Sequence, residues 1–304
     1  MMKNKRVWLT GAHGLLGTAI QEVARSQYPE LELLPTTRET LNYSSEEEVA
    51  QFVTNQQPDI VVNCIAFTNV DMAESQYSEA LLANTSIPLA LANTLGKIPL
   101  IHISTDHIFG GDRTPRKECY KEEDIPMPSN RYALTKLIGE YAVQYHKRNA
   151  YILRTSWLYG PAKWRHKSFY KSILSNAQAG KALRVVTDEV STPTSVFTLA
   201  EVILEIASQR HGHLPFGTYH VADIGQVSRH TFASKIVELL PPETLVTVGK
   251  CTQADWALPA FRPHFSALST EKIAHFYPTL IRPWEERLQE IYNYDIQGIT
   301  DEVQ

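Results

Sequence analysis

Short apolar runs bounded by turn residues recur in the first half of the chain, at positions 7–9, 31–34, 60–62, 100–103 and 151–153. Segments with the apolar spacing of helices lie between these runs. Continuous Val/Ile-rich strands that alternate with helices are typical of a parallel sheet covered on both faces. Because strand–helix–strand crossovers are right-handed, the pattern predicts an α/β fold built on a Rossmann-like, doubly wound parallel sheet.

The second half of the chain has a less regular pattern. It predicts a strand at 183–186, a helix over 196–208, a strand at 218–221, a helix across 232–240 and a last helix that begins near Trp284. We therefore expect a sheet domain over residues 1–160, with its sheet completed by residues 182–200, and a smaller α/β lobe formed mainly by residues 161–304. The polar residues 295–304 are expected to form a loose tail.

The composition narrows the classes of partner. Among 304 residues, 29 Lys and Arg stand against 33 Asp and Glu, and the net charge of −4 is too small and evenly spread to favour nucleic acid or a membrane surface. No apolar run approaches the roughly 20 residues that cross a bilayer. Cys64, Cys119 and Cys251 are far apart and include no CxxC pair, which argues against disulfides and structural zinc. We therefore expect a cytoplasmic protein that binds a small molecule and no metal; its oligomeric state, a homodimer included, is left open.

A glycine-rich turn follows the first predicted strand. Gly11, Gly14 and Gly17 stand in the sequence Gly-Ala-His-Gly-Leu-Leu-Gly, which opens the next helix. Glycines at such a turn let the backbone bend tightly and approach a pyrophosphate, while the N–H groups of the helix N-terminus face the phosphates. A glycine turn without a ligand is the alternative, but its place directly after a buried strand favours a dinucleotide site.

The second and third predicted strands end in residues that suit the ribose groups of a dinucleotide. Arg38 follows the second strand, at the place where a carboxylate would bind a free ribose 2′-hydroxyl. A guanidinium there favours NADPH over NADH, although a surface arginine without a ligand gives the same pattern, so the choice of cofactor is left open. Ile65, Ala66 and Phe67 follow the third strand and would flank the adenine and the nicotinamide ribose.

Further residues point to proton transfer. Tyr132 and Lys136 lie one helical turn apart, so the ammonium is close enough to favour the phenolate. Thr105 and Asp106 follow the fourth strand and reach the same carboxyl edge of the sheet. A Tyr-x-x-x-Lys pair alone is more often a surface pair, but its combination with the glycine turn and the Ser-Thr-Asp loop indicates a catalytic site in which the tyrosine donates a proton.

These motifs are shared with a known family. The stretches that carry the likeness cover nearly the whole chain and are 11–17, 58–75, 104–111, 130–140, 154–160, 191–195, 217–223 and 262–272. The chain resembles the dTDP-4-dehydrorhamnose reductase family of extended short-chain dehydrogenase/reductases. The resemblance implies NAD(P)H-dependent reduction of the C4 carbonyl of a nucleotide-linked 4-keto-6-deoxy sugar, dTDP-4-dehydro-L-rhamnose to dTDP-L-rhamnose above all. It also implies that the sheet domain binds NAD(P) and that the second lobe binds the substrate.

The resemblance implies roles for individual residues. Tyr132 would donate the proton, Lys136 would lower the pKa of Tyr132 and bind the nicotinamide ribose, and Thr105 would hold the sugar carbonyl. The implied cofactor ligands, with Arg38 added from the pattern above, are Gly11, Gly14, Leu15, Leu16, Gly17, Arg38, Asn42, Tyr43, Ile65, Ala66, Phe67 and Lys136. The implied substrate ligands are Thr105, Asp106, Trp157 and Arg262. For Arg262, which would bind the diphosphate, a purely structural role is the alternative.

Two positions depart from the family pattern, and two rival functions remain. His107 stands where the family usually has tyrosine, and Asn42 stands where it usually has aspartate, so substrate contact near the first and adenosine recognition near the second are in question. A nucleotide-sugar epimerase or dehydratase would share Tyr132 and Lys136, although a dehydratase commonly has an acid where this chain has His107. A non-catalytic NADP-binding subunit, similar to the regulatory subunit of methionine adenosyltransferase, also fits the sequence.

Overall fold

The computed structural model describes residues 4–112 and 115–301, with side chains as far as residue 297. The strands are β1 (Lys5–Thr10), β2 (Leu31–Pro35), β3 (Ile60–Asn63), β4 (Leu100–Thr105), β5 (Ala150–Thr155), β6 (Leu158–Tyr159), β7 (Leu183–Val186), β8 (Val190–Ser191), β9 (Thr194–Ser195), β10 (Gly217–His220), β11 (Val227–Ser228) and β12 (Val248–Cys251). The α-helices are α1 (Leu15–Gln27), α2 (Glu46–Gln56), α3 (Met72–Ser75), α4 (Tyr77–Leu81), α5 (Ile87–Thr94), α6 (Arg131–His146), α7 (Phe169–Gln178), α8 (Val196–Ser208), α9 (Arg229–Glu238), α10 (Glu271–Phe276) and α11 (Trp284–Asp301). None of the helices in these ranges is both long and apolar enough to span a membrane.

A six-stranded parallel sheet, in the order β10-β5-β4-β3-β1-β2, forms the centre of the fold. Along β1, Val7 and Leu9 pack into the layer that contains α1 and α8, whereas Trp8 packs on the opposite face with residues of α2 and α5. Strands that are apolar on both sides are buried only between two helical layers, so the predicted doubly wound α/β fold is confirmed. The chain leaves β1 towards β2 on one side and returns to β3 on the other, which opens a crevice at the carboxyl ends of β1 and β3.

The sixth strand of the sheet is not the predicted one. Residues 182–200 were expected to complete the sheet, but β10 pairs with β5 in that place, and β7 pairs instead with β12 in a separate two-stranded sheet. The reason is visible along β7, where Arg184 is exposed between the buried residues Leu183 and Val185. Such a half-buried strand suits the edge of a small lobe, whereas a strand of the central sheet must be apolar on both faces.

The second lobe has a hydrophobic core of its own. Helices α7, α9 and α11 pack together through buried aromatic and aliphatic residues that include Tyr170, Phe232 and Trp284. The polar residues from Asp295 onward were expected to form a loose tail, but α11 continues to Asp301. Asp295 is buried because its carboxylate accepts hydrogen bonds from the backbone N–H groups of Ala162 and Lys163, at 2.9 and 3.1 Å. Residues 302–304 of the predicted tail lie outside the described part of the chain.

Candidate active site

The glycine turn between β1 and α1 exposes backbone N–H groups. Gly11 has a φ of +66°, which L side chains rarely adopt. A Cβ on Gly17 would lie 2.6 Å from the carbonyl oxygen of Gly11, so the turn closes only around glycine. Gly14 occupies the N-cap position of α1 without a side chain to cap the helix. The first-turn N–H groups are therefore open towards the crevice, which suits a pyrophosphate.

Two cavities meet at this turn. An outer cavity of about 860 Å³ is lined by predicted cofactor ligands at the ends of β1, β2 and β3, namely Gly11, Gly14, Arg38, Asn42, Tyr43, Ile65, Ala66 and Phe67. A central cavity of about 400 Å³ is lined by Gly14, Leu15, Leu16, Gly17, Ile65, Ala66, Thr105, Asp106, Tyr132, Lys136 and Trp157. The structure thus brings every predicted site residue except Arg262 to one of two adjoining cavities.

In the outer cavity, Arg38 is a solvent-exposed side chain. Its Nε lies 3.1 Å from the carboxylate of Glu39, which lines the same cavity. The sequence pattern was interpreted from the guanidinium alone. The structure places a carboxylate beside it, so both charges lie at the end of the outer cavity where the adenosine ribose is expected. Tyr43 is buried, and its hydroxyl donates to Thr36 Oγ1 at 2.9 Å.

Tyr132 is buried on the first turn of α6 beside Thr105. Burial raises the pKa of Tyr132 to about 12, and a hydrogen bond with the Thr105 side chain partly opposes that rise. The phenol is therefore protonated at neutral pH, which is the form a proton donor needs. Asn130 begins this helix by accepting a hydrogen bond from the N–H of Ala133 at 2.8 Å, and its amide donates to the carbonyl oxygen of Phe261 at 2.8 Å. The Asn130 side chain therefore caps the first turn of α6 and also ties it to the segment that contains Phe261.

Lys136 is buried one turn further along α6. Its ammonium donates to the carbonyl oxygen of Ile103 at 2.5 Å. Burial lowers the pKa of Lys136 to about 8, and the charge of Glu140 partly opposes that shift. The sequence predicts that this ammonium lowers the pKa of Tyr132, but the shifts on Tyr132 come from burial, Thr105 and Asp106. The ammonium contacts the end of β4, and its effect on the pKa of Tyr132 stays a prediction.

Asp106 is buried at the end of β4 and is occupied by the second lobe. Its Oδ2 accepts hydrogen bonds from Ser191 Oγ at 2.9 Å and from Ser266 Oγ at 2.5 Å. Asp106 was predicted to contact the sugar nucleotide. These two partners show that the side chain holds the end of β4, where Thr105 lies, against the second lobe; its contact with the sugar nucleotide stays a prediction.

Trp157 follows β5 with a φ of +39°. A bulky residue in this left-handed region is strained, and such strain is kept where surrounding contacts hold it, often at functional sites. The guanidinium of Arg229, at the start of α9, lies 3.6 Å from the centre of a Trp157 ring. Arg229 lines the central cavity as well. The sequence analysis missed Arg229 because an arginine in the mostly polar stretch Gln-Val-Ser-Arg-His is typical of a solvated surface charge.

Arg262 does not reach either cavity. Its two terminal nitrogens lie 2.5 and 2.6 Å from the carboxylate oxygens of Asp71, and Nη1 also donates to the carbonyl oxygen of Ala260 at 2.7 Å. This bidentate pair holds the pKa of Asp71 below its usual value. The structural alternative raised for Arg262 describes this arrangement, and its assignment to the diphosphate finds no support in the geometry.

Asn84 is a second residue that sequence reasoning missed. It lies in a short π-helix, Leu82–Ser86, which leads into α5. Its side chain accepts from the N–H of Phe67 at 2.9 Å and donates to the carbonyl oxygen of Phe67 at 3.1 Å and to Thr135 Oγ1 at 3.0 Å. Asn84 thus joins the edge of the outer cavity to the helix of Tyr132 and Lys136. Nothing local in the sequence marks it, because all three bonds are to residues far along the chain.

The cavities suit a nicotinamide dinucleotide. Ser104 Oγ, His107 Nδ1 and Thr155 Oγ1 are buried polar atoms without a hydrogen-bond partner among the described residues, and all three residues line the central cavity. Buried polar atoms are normally paired, so these groups are available to a bound ligand. Together with the open N-terminus of α1, they offer a dinucleotide both phosphate contacts and contacts near its reactive end.

Comparisons with known proteins show which family the chain belongs to. The family model of the RmlD substrate binding domain matches residues 5–296. The spore coat polysaccharide biosynthesis protein SpsK of Bacillus subtilis is 33% identical over 290 residues, which cover 94% of this chain and 96% of that protein. A dTDP-4-dehydrorhamnose reductase of Mycolicibacterium smegmatis is 33% identical over 301 residues, which cover 98% of this chain and 88% of that protein.

A solved structure extends the likeness to three dimensions. The crystal structure of a dTDP-4-dehydrorhamnose reductase of Bacillus anthracis in complex with NADP has a TM-score of 0.86 and 30% identity, over 96% of this chain and 99% of that chain. The match includes both the sheet domain and the second lobe. The predicted family and the predicted use of NAD(P)H are therefore confirmed: the chain belongs to the dTDP-4-dehydrorhamnose reductase family of NAD(P)-dependent oxidoreductases.

Proposed function

We propose that the chain reduces the C4 carbonyl of dTDP-4-dehydro-L-rhamnose to give dTDP-L-rhamnose, with NADPH as the favoured cofactor. The observation that carries the proposal is the continuity of the two cavities, since Gly14, Ile65 and Ala66 line both. A dinucleotide that lies along the glycine turn would have its reactive end beside Thr105 and Tyr132. When bound, the cofactor supplies the hydride.

In this reading, Tyr132 donates a proton to the carbonyl oxygen of the sugar. Its pKa of about 12 keeps the phenol protonated until the oxygen becomes basic. Thr105 lies beside it and holds the same oxygen with its hydroxyl. Lys136, whose pKa is about 8, is largely protonated at neutral pH and carries positive charge into the cavity. Its ammonium would hold the nicotinamide ribose.

The substrate is inferred from relatives. The relatives of this chain include dTDP-4-dehydrorhamnose reductases and a probable dTDP-4,6-dihydroxy-2-methyloxan-3-one 4-ketoreductase of Streptomyces antibioticus, which is 32% identical over 290 residues. Their names share a 4-keto sugar linked to dTDP. Trp157, held in a strained conformation at the central cavity, is the side chain we assign to packing against that sugar.

Among the rival activities, a dehydratase is disfavoured by His107. The ring lies edge-on to Tyr132 with centroids 5.6 Å apart, and burial lowers the pKa of His107 below its usual value. A neutral imidazole at neutral pH is not the acid that elimination needs at this place. The regulatory-subunit alternative is not favoured by any contact in the site.

The test is an assay of purified protein with dTDP-4-dehydro-L-rhamnose and either NADPH or NADH. Stoichiometric oxidation of the reduced dinucleotide and formation of dTDP-L-rhamnose, identified by NMR, are expected. Product formation without net oxidation, together with NAD that copurifies with the protein, would favour an epimerase or dehydratase instead. Binding of NADPH without any turnover of the sugar nucleotide would favour the non-catalytic alternative.

A further inference from the structure

A third cavity continues the path of the first two. This lobe cavity, of about 440 Å³, lies between α7, β7 and the segment that contains Trp256 and Leu258. Arg229 lines both the central cavity and the lobe cavity. The path therefore runs from the glycine turn, past Tyr132, to Arg229 and on into the second lobe.

Arg229 has hydrogen-bonding capacity to spare. Within the described ranges its only ion pair runs from Nε to the Glu189 carboxylate, and at 3.5 Å that pair is long. Apart from this contact with Glu189, its guanidinium makes no hydrogen bond to a described residue. Burial lowers the pKa of Arg229 to about 10, so the group stays charged at neutral pH. Arg262, by contrast, has both terminal nitrogens occupied by Asp71. A mostly buried guanidinium that is held by one long ion pair is suited to a phosphate.

The lobe cavity has the character of a site for a flat ring. Phe169 and Trp256 contribute aromatic surface, and the Phe169 ring centre lies 4.9 Å from the Arg229 guanidinium. Trp256 and Leu258 are 46% and 43% exposed, an unusual amount for large apolar side chains that lie side by side at a cavity. Ser172 and Asn176 add a hydroxyl and an amide on one face of α7. Aromatic walls with a few polar groups suit a nucleobase.

We infer that Arg229 binds the diphosphate of the nucleotide sugar where the central and lobe cavities meet, with the nucleobase in the lobe cavity between Phe169 and Trp256. This inference rests on the proposed function for the kind of substrate. It assigns to Arg229 the contact that the sequence assigns to Arg262. The sugar then lies on the Trp157 side of Arg229, within reach of Tyr132.

The experiment measures binding of dTDP, thymidine and NADPH to the full chain and to its variants, by calorimetry for dTDP and NADPH and by ligand-observed NMR for thymidine. Arg229→Gln is expected to weaken dTDP binding by about tenfold or more, because hydrogen bonds to a charged group are lost. Thymidine and NADPH binding should be unchanged, and Arg229→Lys should restore part of the dTDP affinity. Trp256→Ala should weaken dTDP and thymidine alike.

Two further variants sharpen the test. Glu189→Gln removes the carboxylate that competes for Arg229, so dTDP should bind more tightly; this arm does not depend on how well an Arg229 variant folds. Arg262→Gln should leave the affinity of the folded protein for dTDP unchanged. The inference is overturned if Arg229→Gln binds dTDP normally, if it weakens thymidine as much as dTDP, if Glu189→Gln weakens dTDP, or if Arg262→Gln is the variant that loses dTDP. Failure of the reductase assay while dTDP binding depends on Arg229 would count against the proposed reaction alone.

Discussion

Arg154 and Glu140 form a buried ion pair beneath the candidate active site, with Arg154 Nη2 lying 2.8 Å from Glu140 Oε2. Nε of the arginine lies 3.1 Å from both carboxylate oxygens, so the contact is bidentate. Glu140 stands one helical turn after Lys136 on α6, and Arg154 stands next to the end of β5. The pair therefore fixes α6, which carries Tyr132 and Lys136, to the sheet.

Removing one charge of this pair should be costly. Glu140→Gln leaves Arg154 without its counter-charge in the interior, and we expect the free energy of unfolding to fall by about 3–5 kcal/mol in urea denaturation. Glu238→Gln, which breaks an exposed ion pair with Lys235, is the control and should change little. A loss no larger than that of the control would mean that the buried pair does not anchor α6.

Tyr132→Phe tests the proton donor. The substitution keeps the ring and its packing but removes the hydroxyl, so kcat should fall by about 10²–10⁴-fold while NADPH binding and unfolding stay nearly unchanged. Tyr141→Phe, on an exposed position of the same helix, should retain full activity. Full activity in Tyr132→Phe would remove Tyr132 from the reaction.

Arg38→Ala tests the preference for NADPH. The exposed guanidinium would bind the 2′-phosphate, so its loss should raise the KM for NADPH by about tenfold and leave the KM for NADH unchanged. Glu39→Gln should instead raise the KM for NADH, because the neighbouring carboxylate is the group that could accept a hydrogen bond from a free 2′-hydroxyl. An equal change in the KM for NADPH and for NADH in Arg38→Ala would show that the arginine does not bind the 2′-phosphate.

Asn84→Ala tests a positioning residue. Three hydrogen bonds to Phe67 and Thr135 are lost, which should lower the free energy of unfolding by about 1–3 kcal/mol. Because these bonds place the cavity edge relative to α6, kcat should fall and the KM for NADPH should rise together. Gln178→Ala, at an exposed position at the end of α7, is the control and should alter neither the stability nor the two kinetic constants. A variant that loses stability but keeps both kinetic constants would show a purely structural role.

The pKa of Lys136 predicts how cofactor binding depends on pH. Below pH 8 the amine is protonated and attracts the anionic NADPH, so the Kd should increase as the pH rises through about 8. In Lys136→Met this pH dependence should disappear, which calorimetric titrations across the range would show. The same lowered pKa also affects stability: between the folded value of about 8 and the ordinary lysine pKa of 10.5, the unfolded chain binds more protons, so this group makes unfolding less favourable as the pH rises.

The central sheet and most of the site could be predicted because their signals are local. Strands such as Ile60–Asn63 are apolar on both faces, and Gly11 and Gly17 are demanded by one tight turn. Arg229 and Asn84 could not be found in this way, since their roles depend on partners that the fold brings from distant positions. Arg262 was assigned to the diphosphate because a guanidinium suits a phosphate. The local sequence does not reveal that Asp71, 191 residues away, accepts hydrogen bonds from both terminal nitrogens of Arg262.

The hydrogen bonds that Asp106 accepts from Ser191 and Ser266 have a consequence for engineering. They tie the residue next to Thr105 to two separate segments of the second lobe, so the lobe cannot be exchanged as an independent module. A chimaera that takes its second lobe from another reductase would need both hydroxyls at matching positions; without them, Oδ2 of the buried Asp106 would lose both of its hydrogen bonds next to Thr105. Substrate selectivity is therefore more readily changed by substitutions at Phe169, Trp256 and their neighbours, which line the lobe cavity and do not take part in the hydrogen bonds of Asp106.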